Sequence, residues 1–555
     1  MKLKSSKLVW ARRLSQTAFL VLFAYFLLHT EFGNPIRSAG PDVRLRYPVQ
    51  LFFQLDPLVA LANLLASHSF YRGLEWSLLV LIPTLLFGRF FCGWVCPMGT
   101  LHHIFGALRP EWKRGKRLIE SNRYKRWQTI KYYLLASLLI AATFGSGLVG
   151  WFDPFSLLVR SVGLSIFPAS HYASSAVIRS LESSSWTVLQ LLGDLLHRVL
   201  SDTVLSLKQP HFRQGVFLGS ILVVLLALNL RVTRFWCRAL CPLGALLGVA
   251  SRWSLLGLKK DLATCNDCNR CAQHCQGGDD PVSSAKWRKA ECHLCMNCVD
   301  ACPSSSLRFE FGRDKSTTIY SPDLKRRWAL TGVVAGLAAV PLLRSTNGLA
   351  VENDHNLLRP PGALEESDFL ARCIRCGECM KVCPNNALHP SFTEAGLEGL
   401  WSPVLVPRVG YCAPNCTLCS SVCPTGAIAK IQTADKGWGQ HSAGDKPPIR
   451  LGTAFFDRGR CVVWATGVEC GACEKACPTE PRAIYLREAE VADSSGNVHS
   501  VKQPWADTSR CVGCGACEYA CPLHERPAVY VTSIGESRSP NNRIFVNGRD
   551  LTSAS

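Results

Sequence analysis

Residues 265–303 read CNDCNRCAQHCQGGDDPVSSAKWRKAECHLCMNCVDACP, and this stretch contains two runs of the form C-x2-C-x2-C-x3-C. In such a run three cysteines on a tight turn wrap one [4Fe–4S] cluster, while the fourth cysteine reaches a neighbouring cluster. The spacing therefore predicts two centres with exchanged fourth ligands. The first centre is predicted at Cys265, Cys268, Cys271 and Cys302, and the second at Cys275, Cys292, Cys295 and Cys298.

Structural zinc is the alternative for these eight thiols, because zinc also binds in sites made of four cysteines. Zinc sites rarely need a fourth cysteine three residues further on and before a proline. The second run has that proline, Pro303, whereas Gln276 follows Cys275 in the first run. This departure leaves the number of ligands intact, and clusters remain the favoured interpretation.

Four further cysteine motifs follow between residues 373 and 522, each ending in Cys-Pro. They contain sixteen cysteines, enough for four more [4Fe–4S] clusters, so about six clusters are predicted in all. The order of fourth-ligand exchange stays open: the first motif can pair with the second and the third with the fourth, or the pairs can nest. A gap of eight residues after Cys461 predicts an inserted loop. The motifs are Cys373, Cys376, Cys379 and Cys383; Cys412, Cys416, Cys419 and Cys423; Cys461, Cys470, Cys473 and Cys477; and Cys511, Cys514, Cys517 and Cys521.

The remaining four of the 28 cysteines form two C-x3-C-P pairs, Cys92 with Cys96 and Cys237 with Cys241. Each pair follows an apolar segment and an Asp-Pro dipeptide, Asp56-Pro57 or Asp153-Pro154, which indicates an internal repeat. If helical, each pair lies on one helix face, and the two pairs can converge. Converging thiols can bind a metal or cluster, or cycle as dithiols; the simpler alternative is that they are small buried apolar side chains.

The hydrophobic residues concentrate before residue 255 and again near 330–343, although they make up 48% of the whole chain. Four membrane spans are predicted, and their flanks extend segments shorter than the usual length of about 20 residues. The alternative is a set of buried helices in a large soluble protein. The predicted spans cover residues 16–28, 76–91, 130–151 and 216–230.

Basic residues flank these segments and account for much of the net charge of +20. Because Lys and Arg concentrate in cytoplasmic loops, the pattern places the N-terminus inside and loops 30–75 and 152–212 outside. No nucleic-acid-binding motif is present, and we expect no nucleic-acid partner. The basic residues are Lys2, Lys4, Lys7, Arg12 and Arg13; Lys113, Arg114, Lys116, Arg117, Arg123, Lys125 and Arg126; and Arg231, Arg234, Arg238, Arg252, Lys259 and Lys260.

Residues 321–350 connect the two halves, with Lys325-Arg326-Arg327 followed by a moderately apolar stretch. This connector is either a fifth span or a twin-arginine-like segment, and both carry the rest of the chain outward. The alternative is a core helix that leaves the rest in the cytoplasm.

These patterns together predict an α-helical polytopic membrane domain plus α+β bacterial-type, ferredoxin-like multi-cluster iron–sulfur domains. The predicted domains are a transmembrane domain at 1–255, a cytoplasmic two-cluster domain at 256–320, the connector at 321–350 and an exported four-cluster domain at 351–555.

Several cofactor motifs are absent from the sequence. There is no C-x-x-C-H for attached haem, no G-x-G-x-x-G, and no P-loop, so no haem, NAD or flavin motif is found. His102 and His103 follow the first C-x3-C-P pair, where they face either a quinone headgroup or the membrane interface.

The residues up to about 310 resemble the membrane ferredoxin NapH and its NosR-like and oxidase-assembly relatives, through the C-x3-C-P pairs and the two-cluster run. Residues 322–530 resemble NapG and MauM, through the arginine-rich leader and the four motifs with irregular gaps. The chain thus resembles a NapH–NapG fusion. The resemblance implies oxidation of quinol from the quinone pool and transfer of electrons through the clusters to a periplasmic reductase or cytochrome.

The resemblance also implies a location in the bacterial inner membrane, as a multi-pass protein with a cytoplasmic N-terminus and a periplasmic C-terminal domain. Two alternatives to a quinol dehydrogenase stay open. A reduced cytoplasmic ferredoxin is the donor in the first. In the second, the chain is a maturation or assembly factor for a periplasmic or membrane redox enzyme.

Overall fold

A computed structural model of the 555-residue chain describes most of the sequence. The described residues are 5–28, 50–108, 115–201, 210–282, 287–312, 326–350, 356–438, 447–492, 498–523, 525–539, 542, 545–546 and 549–550. Lys2, Lys4, Lys113, Arg114 and Lys325 lie outside these residues, as do residues 29–49 and 202–209 of the two predicted outer loops.

Helices dominate the chain as far as residue 250. They are α1 (Ser5–Leu28), α2 (Leu51–Gln54), α3 (Pro57–Ser67), α4 (Leu78–Phe87), α5 (Phe90–Trp94), α6 (Pro97–Ala107), α7 (Gly115–Asn122), α8 (Ile130–Thr143), α9 (Val149–Phe152), α10 (Pro154–Ser161), α11 (Phe167–Glu182), α12 (Thr187–Ser201), α13 (Gly215–Leu228), α14 (Phe235–Ala239) and α15 (Pro242–Ala250). Short 3-10 turns and one π-helix, Val162–Ile166, connect some of them.

Short strands and helices alternate in the remainder of the chain. The elements are β1 (Leu256–Lys260), α16 (Arg270–His274), α17 (Asn297–Asp300), β2 (Leu307–Phe311), α18 (Arg326–Ala350), α19 (Glu366–Arg372), α20 (Glu378–Lys381), β3 (Leu388–Pro390), β4 (Pro403–Leu405), α21 (Leu418–Ser421), α22 (Thr433–Lys436), β5 (Thr453–Phe456), α23 (Val462–Thr466), α24 (Ala472–Ala476), β6 (Ile484–Ala492), β7 (Val498–Ala506), α25 (Ala516–Ala520), β8 (Val529–Thr532), β9 (Phe545–Val546) and β10 (Arg549–Asp550).

The chain divides into two compact units. The first unit contains residues 1–28, 49–162 and 216–341, and the second contains residues 29–48, 163–215 and 342–555. The first unit thus joins the helical repeat to the module at 256–312, whereas the second joins the segment 163–215 to the C-terminal motifs.

The internal repeat of the first unit is visible in its local structure. Asp56 caps α3 by accepting a hydrogen bond of 2.7 Å from Leu58 N, and Asp153 caps α10 by accepting one of 2.7 Å from Ser156 N. In both cases a proline occupies the first helical position, where its missing N–H costs nothing. The same sequence signal thus starts the same structure in both halves.

Helices occupy each predicted span, but few of them are long. One helix, Lys7–Leu28, has the length and apolar composition to cross a membrane, and Pro57–Ser67, Gly215–Leu228 and Leu330–Arg344 are shorter apolar helices within the described ranges. The second predicted span is broken at Gly88, whose positive φ of 98° ends α4.

Several of the basic residues that indicate topology are buried rather than exposed to solvent. Arg12, Arg234 and Arg238 are each at most 1% exposed. Arg238 donates to the carbonyl oxygens of Ser121, Asn122 and Arg123 and thereby fixes α14 to the end of α7. Part of the positive charge therefore stabilises the fold of the first unit.

The connector helix α18 packs closely against α8. A Cβ built on Gly336 would lie 2.7 Å from the carbonyl oxygen of Ser137, and one on Gly332 would lie 3.2 Å from that of Tyr133. Two glycines four residues apart let helix backbones approach in this way, a pattern common between membrane helices.

The second unit pairs its strands antiparallel, β3 with β4, β5 with β8 and β6 with β7. The segment 163–215 packs against α20 and the residues that follow it in the first motif of this unit. Lys381 Nζ lies 5.1 Å from the ring centre of Phe167, and Asn386 Nδ2 donates to the His211 carbonyl oxygen at 2.7 Å. The segment that links two predicted spans is therefore part of the same unit as the C-terminal motifs.

Candidate metal centres

The module at 256–312 brings together the four cysteines predicted for its first centre, which we call site A. Cys265, Cys268, Cys271 and Cys302 line one cavity with about 320 Å³ of empty space. Cys302 Sγ and the Ser306 hydroxyl are hydrogen-bonded at 3.2 Å. Burial opposes ionisation of this thiol, but its hydrogen bonds with Ser306 and Ser304 lower the pKa of Cys302 to about 7. The thiolate form, which ligates iron, is favoured at this position.

The second centre of this module, site B, comprises Cys275, Cys292, Cys295 and Cys298, all of them buried. Electrostatic interactions connect Cys295 to the other three thiols. Burial, followed by the neighbouring Asp279, raises the pKa of Cys275, and Asp279 in turn accepts a hydrogen bond from Trp287 Nε1 at 3.2 Å. Cys292 and Cys298 also belong to an apolar cluster with Leu256, Leu258, Trp287, Leu294 and Leu307.

In the C-terminal unit the fourth cysteine of each motif lies with the motif beside it in sequence. The first motif exchanges with the second, and the third exchanges with the fourth. Three of the resulting sites line cavities with about 310 to 380 Å³ of empty space. The sites are C (Cys373, Cys376, Cys379 and Cys423), D (Cys383, Cys412, Cys416 and Cys419), E (Cys477, Cys511, Cys514 and Cys517) and F (Cys461, Cys470, Cys473 and Cys521).

These four sites follow one another in a series. Cys379 of site C interacts electrostatically with Cys419 of site D. Cys412 N of site D donates to the Cys514 carbonyl oxygen of site E at 2.9 Å, and Cys517 of site E interacts with Cys473 of site F. The order of the sites is therefore C, D, E and F.

The donor geometry fits clusters better than single ions. Among the described residues, no three Cys, His, Asp or Glu side chains are close enough to hold one metal ion. The cysteines surround cavities instead, as the wider iron–sulfur cubane requires.

The eight-residue gap after Cys461 contains a helix, α23, and is not the loop that the spacing predicts. Val463 is 0% exposed and packs in a cluster with Val501 and Ala528, while Trp464 Nε1 donates to the Pro504 carbonyl oxygen at 3.2 Å. The insertion thus anchors Cys461 against β7.

The two C-x3-C-P pairs converge, but not as one helix face each. α5 and α14 end before the second cysteine of their pair, because the residue before a proline disfavours the helical conformation. Each second cysteine instead precedes the N-terminus of the next helix, α6 or α15. All four thiols are buried, and every pair among them interacts electrostatically.

Some residues at these centres do not belong to the cysteine motifs, so the cysteine spacing does not identify them. Arg89 and Arg234 lie beside the converging pairs, and Glu291 binds Lys131 and Tyr132 next to site B. The two arginines were detectable, since each precedes the first cysteine of its pair by three residues in Arg-Phe-Phe-Cys and Arg-Phe-Trp-Cys. His102 is fully buried, which is unlike an exposed interfacial residue, whereas His103 is partly buried.

Comparison with family models finds iron–sulfur domains in both units. A model described as a 4Fe-4S binding domain matches residues 70–116 and again 214–260, which confirms the internal repeat. A model described as a 4Fe-4S dicluster domain matches 372–427 and 466–524, and another 4Fe-4S binding domain matches 289–312. The chain therefore carries several [4Fe–4S] cluster-binding domains.

Named relatives are ferredoxin-type and electron transport proteins. The ferredoxin-type protein NapG of Escherichia coli K12 is 33% identical over 38% of this chain and 86% of its own length. The methylamine utilization ferredoxin-type protein MauM of Methylorubrum extorquens is 35% identical over 32% of this chain and 73% of its own. YccM of Escherichia coli K12, named for electron transport, is 26% identical over 49% of this chain but only 63% of its own length. No solved structure matches the chain.

Proposed function

This chain belongs to the family of ferredoxin-type iron–sulfur electron-transfer proteins that contains NapG and MauM, and from that premise we propose that it is a membrane-bound quinol dehydrogenase. In this proposal it passes electrons from the quinone pool of the bacterial inner membrane to a periplasmic reductase or cytochrome. The [4Fe–4S] clusters supply one-electron transfer when bound.

The observation that carries the proposal is the series of sites C, D, E and F. A protein that only needs metal for stability has no requirement for adjacent centres, whereas electron transfer over the length of a domain does. The backbone hydrogen bond from Cys412 to Cys514 joins the two exchanged pairs and keeps the middle sites adjacent.

We assign one [4Fe–4S] cluster to each of the six sites because of their ligand pattern. Each site contains three cysteines of one motif and the fourth cysteine of its partner motif, which is the ligand pattern of paired [4Fe–4S] centres. The ligands are the 24 cysteines of sites A to F.

The series has a defined input end in this proposal. The segment 163–215, which joins two predicted spans, contacts residues that follow Cys379 and Cys383, namely Lys381 of α20, Asn386, and His389 of β3. Because these residues follow cysteines of sites C and D, we take these two sites as the input end. Site F, at the other end of the series, is the output toward the periplasmic partner.

The membrane location rests on several features together. Among the described residues, Lys7–Leu28 is the helix long and apolar enough to cross a membrane, and the Gly332–Gly336 contact of α18 with α8 is the packing expected of a fifth span. The loop charges predict that residues 152–212 lie outside, and these residues from 163 onward share a unit with the C-terminal motifs. This supports a cytoplasmic N-terminus and a periplasmic C-terminal domain.

The test is anaerobic EPR of the detergent-purified protein during titration with a menaquinol analogue. We expect reduced-cluster signals that disappear when a quinone-site inhibitor is added. If quinol reduces nothing while a low-potential ferredoxin does, the quinol dehydrogenase assignment is wrong.

One observation favours a cytoplasmic donor as the second candidate. Cys268 of site A is exposed, and the other three thiols of that site are partly buried, so a soluble ferredoxin can approach this centre directly. In that case site A is the input, and inhibitors of quinone sites leave the electron transfer unchanged.

A further inference from the structure

The two C-x3-C-P pairs lie in the two copies of the repeat, and neither copy has enough thiols for a cluster of its own. The segments 70–116 and 214–260, each matched as a 4Fe-4S binding domain, contain only two cysteines apiece. In the first unit the copies bring these thiols together. The four thiols are between 6% and 8% exposed, and each interacts electrostatically with the other three. They are Cys92, Cys96, Cys237 and Cys241.

Two buried arginines complete the arrangement and follow the same repeat symmetry. Arg89 Nη2 lies 2.8 Å from a Cβ built on Gly244, in the Cys-Pro-Leu-Gly turn of the second copy. Arg234 Nη1 lies 3.7 Å from a Cβ built on Gly99, in the Cys-Pro-Met-Gly turn of the first copy. Each arginine thus reaches across to the cysteine turn of the other copy, and the glycine there leaves room for it.

The arginines have polar atoms without a partner in the protein. Arg89 is 0% exposed and Arg234 is 1% exposed. Arg89 Nη2 lies 3.9 Å from Cys92 Sγ, and Arg234 Nη1 donates to the Cys92 carbonyl oxygen at 3.2 Å. Within the described residues, Arg89 Nε and both Arg234 Nε and Nη2 have no hydrogen-bond partner. Burying guanidinium groups in this way is costly unless an anion compensates them.

The charged side chains around the four thiols also favour an anion at this position. Arg89, Arg234 and Lys131 are buried cations, and Glu291 is the carboxylate that binds Lys131 and lies 3.7 Å from Arg89. Arg12 beside Arg234 and Arg238 beside Glu291 are further buried cations of this region, so positive charge is in excess around the four thiols. A [4Fe–4S] cluster with four thiolate ligands carries about two negative charges in its oxidised form.

We propose that Cys92, Cys96, Cys237 and Cys241 together hold a seventh [4Fe–4S] cluster, shared between the two copies of the repeat and neutralised by Arg89 and Arg234. Cys241 Sγ already accepts a hydrogen bond from Gly244 N at 3.2 Å at the N-terminus of α15. A permanent disulfide leaves the guanidinium charges uncompensated.

The position of this centre connects it to site B. A Cβ built on Gly93 would collide with the His293 carbonyl oxygen, and Trp94 Nε1 donates to the Leu294 carbonyl oxygen at 3.0 Å. The residues between Cys92 and Cys96 therefore touch the residues between Cys292 and Cys295. The use of this centre as an electron site next to site B rests on the proposed function, whereas its occupancy by a cluster does not.

The test is the iron and acid-labile sulfide content of the full chain, purified anaerobically, with Mössbauer spectra. The double variant Cys92→Ala/Cys237→Ala removes one thiol from each copy. We expect it to lose about four irons and about four sulfides per chain. Met98→Leu is the matched control, because Met98 is 0% exposed in the same turn and the change conserves volume; it should keep the full content.

Three results would overturn the proposal: unchanged iron in the double variant, one zinc per wild-type chain, or a disulfide among the four cysteines in the wild-type chain denatured under alkylating conditions. If the double variant does not accumulate, Arg234→Gln is used to test for the cluster instead. Losing a positive charge should lower the midpoint potential of one cluster signal at unchanged iron content. If no signal shifts, the proposal fails. None of these readouts depends on quinol oxidation.

Discussion

The two iron–sulfur modules of this chain differ in how they shelter their thiols. In the two-site module at 256–312, Cys268 of site A is exposed, while all four cysteines of site B are buried. In the four-site unit no cysteine is exposed, and all of its sixteen cysteines are among the described residues. The paired motifs thus produce one centre with a solvent-exposed thiol, which we call open, and five without one, which we call enclosed. Spacing determines which thiols can meet, and the surrounding apolar residues determine which partner can reach them.

The largest expected effect separates the closed and open sites of the first module. Cys298→Ala removes a ligand of site B that also packs with Leu256, Trp287 and Leu307, so we expect loss of both clusters, about eight irons per chain. Cys268→Ala removes an exposed ligand of site A and should cost only about four irons. Iron analysis of the two purified variants measures the difference. Equal losses would show that the two sites are not distinguished by packing.

The attachment of site B to the helical repeat provides the next test. Glu291→Gln leaves Lys131, which is 0% exposed, and the neighbouring Arg89 without their carboxylate. Breaking such a buried pair costs about 3–5 kcal/mol, so thermal bleaching of the clusters should begin at a markedly lower temperature. Glu310→Gln is the control, because the side chains of Glu310 and of its partners Lys259 and Arg308 are at least a third exposed, and each such pair is worth at most about 1 kcal/mol. Similar bleaching temperatures in the two variants would contradict a stabilising role of Glu291.

In the four-site unit the corresponding carboxylate is Glu366, which binds Arg359 and Arg538. Burial opposes ionisation, but Arg359 and then Arg538 outweigh it and lower the pKa of Glu366. The pairing therefore stabilises the unit at neutral pH and is lost as the pH falls through the lowered pKa of the folded protein.

We expect Glu366→Gln to cost about 2 kcal/mol at pH 7 and to flatten the acid side of the stability profile. Chemical unfolding followed by cluster absorbance between neutral and acid pH measures both effects. Glu394→Gln, at a more exposed pair with Arg213, should leave the profile unchanged. An acid limb that persists unaltered in Glu366→Gln would exclude this carboxylate as its origin.

The smallest expected effect can be measured on the wild-type chain, without removing a cluster ligand. On brief exposure to air, the open site A should lose its cluster before the five enclosed sites, because solvent reaches Cys268 directly. A fast bleaching phase with the amplitude of one cluster is expected, and it should be missing in Cys268→Ala. Bleaching in a single phase would mean that Cys268 does not open its site.

The cysteine sites were predictable from the sequence because three ligands of each cluster lie within one short motif. The exchange of fourth ligands in the C-terminal unit was not predictable from the sequence. Cys383 and Cys412 are 29 residues apart, and the packing of α20 against α21 decides which motif each cysteine reaches.

The helical half was predictable in outline only. The Asp-Pro and Cys-Pro signals start helices in both copies, as their capping chemistry requires. The convergence of the four thiols and the crossing of Arg89 and Arg234 depend on contacts between the copies, which no local pattern determines. The Arg-Phe dipeptide that precedes each pair is a local sequence feature that marks these two arginines.

The series of sites C, D, E and F is the central claim, and freeze-quenched EPR of the full chain with one site removed tests it most directly. After reduction by a menaquinol analogue, Cys419→Ala, which removes a ligand of site D, should show a reduced signal at site C while sites E and F stay oxidised. Cys473→Ala, which removes a ligand of site F, should leave sites C, D and E reducible, and iron analysis of both variants confirms that one cluster is missing. If sites E and F are reduced at the wild-type rate without site D, the four sites do not form a series.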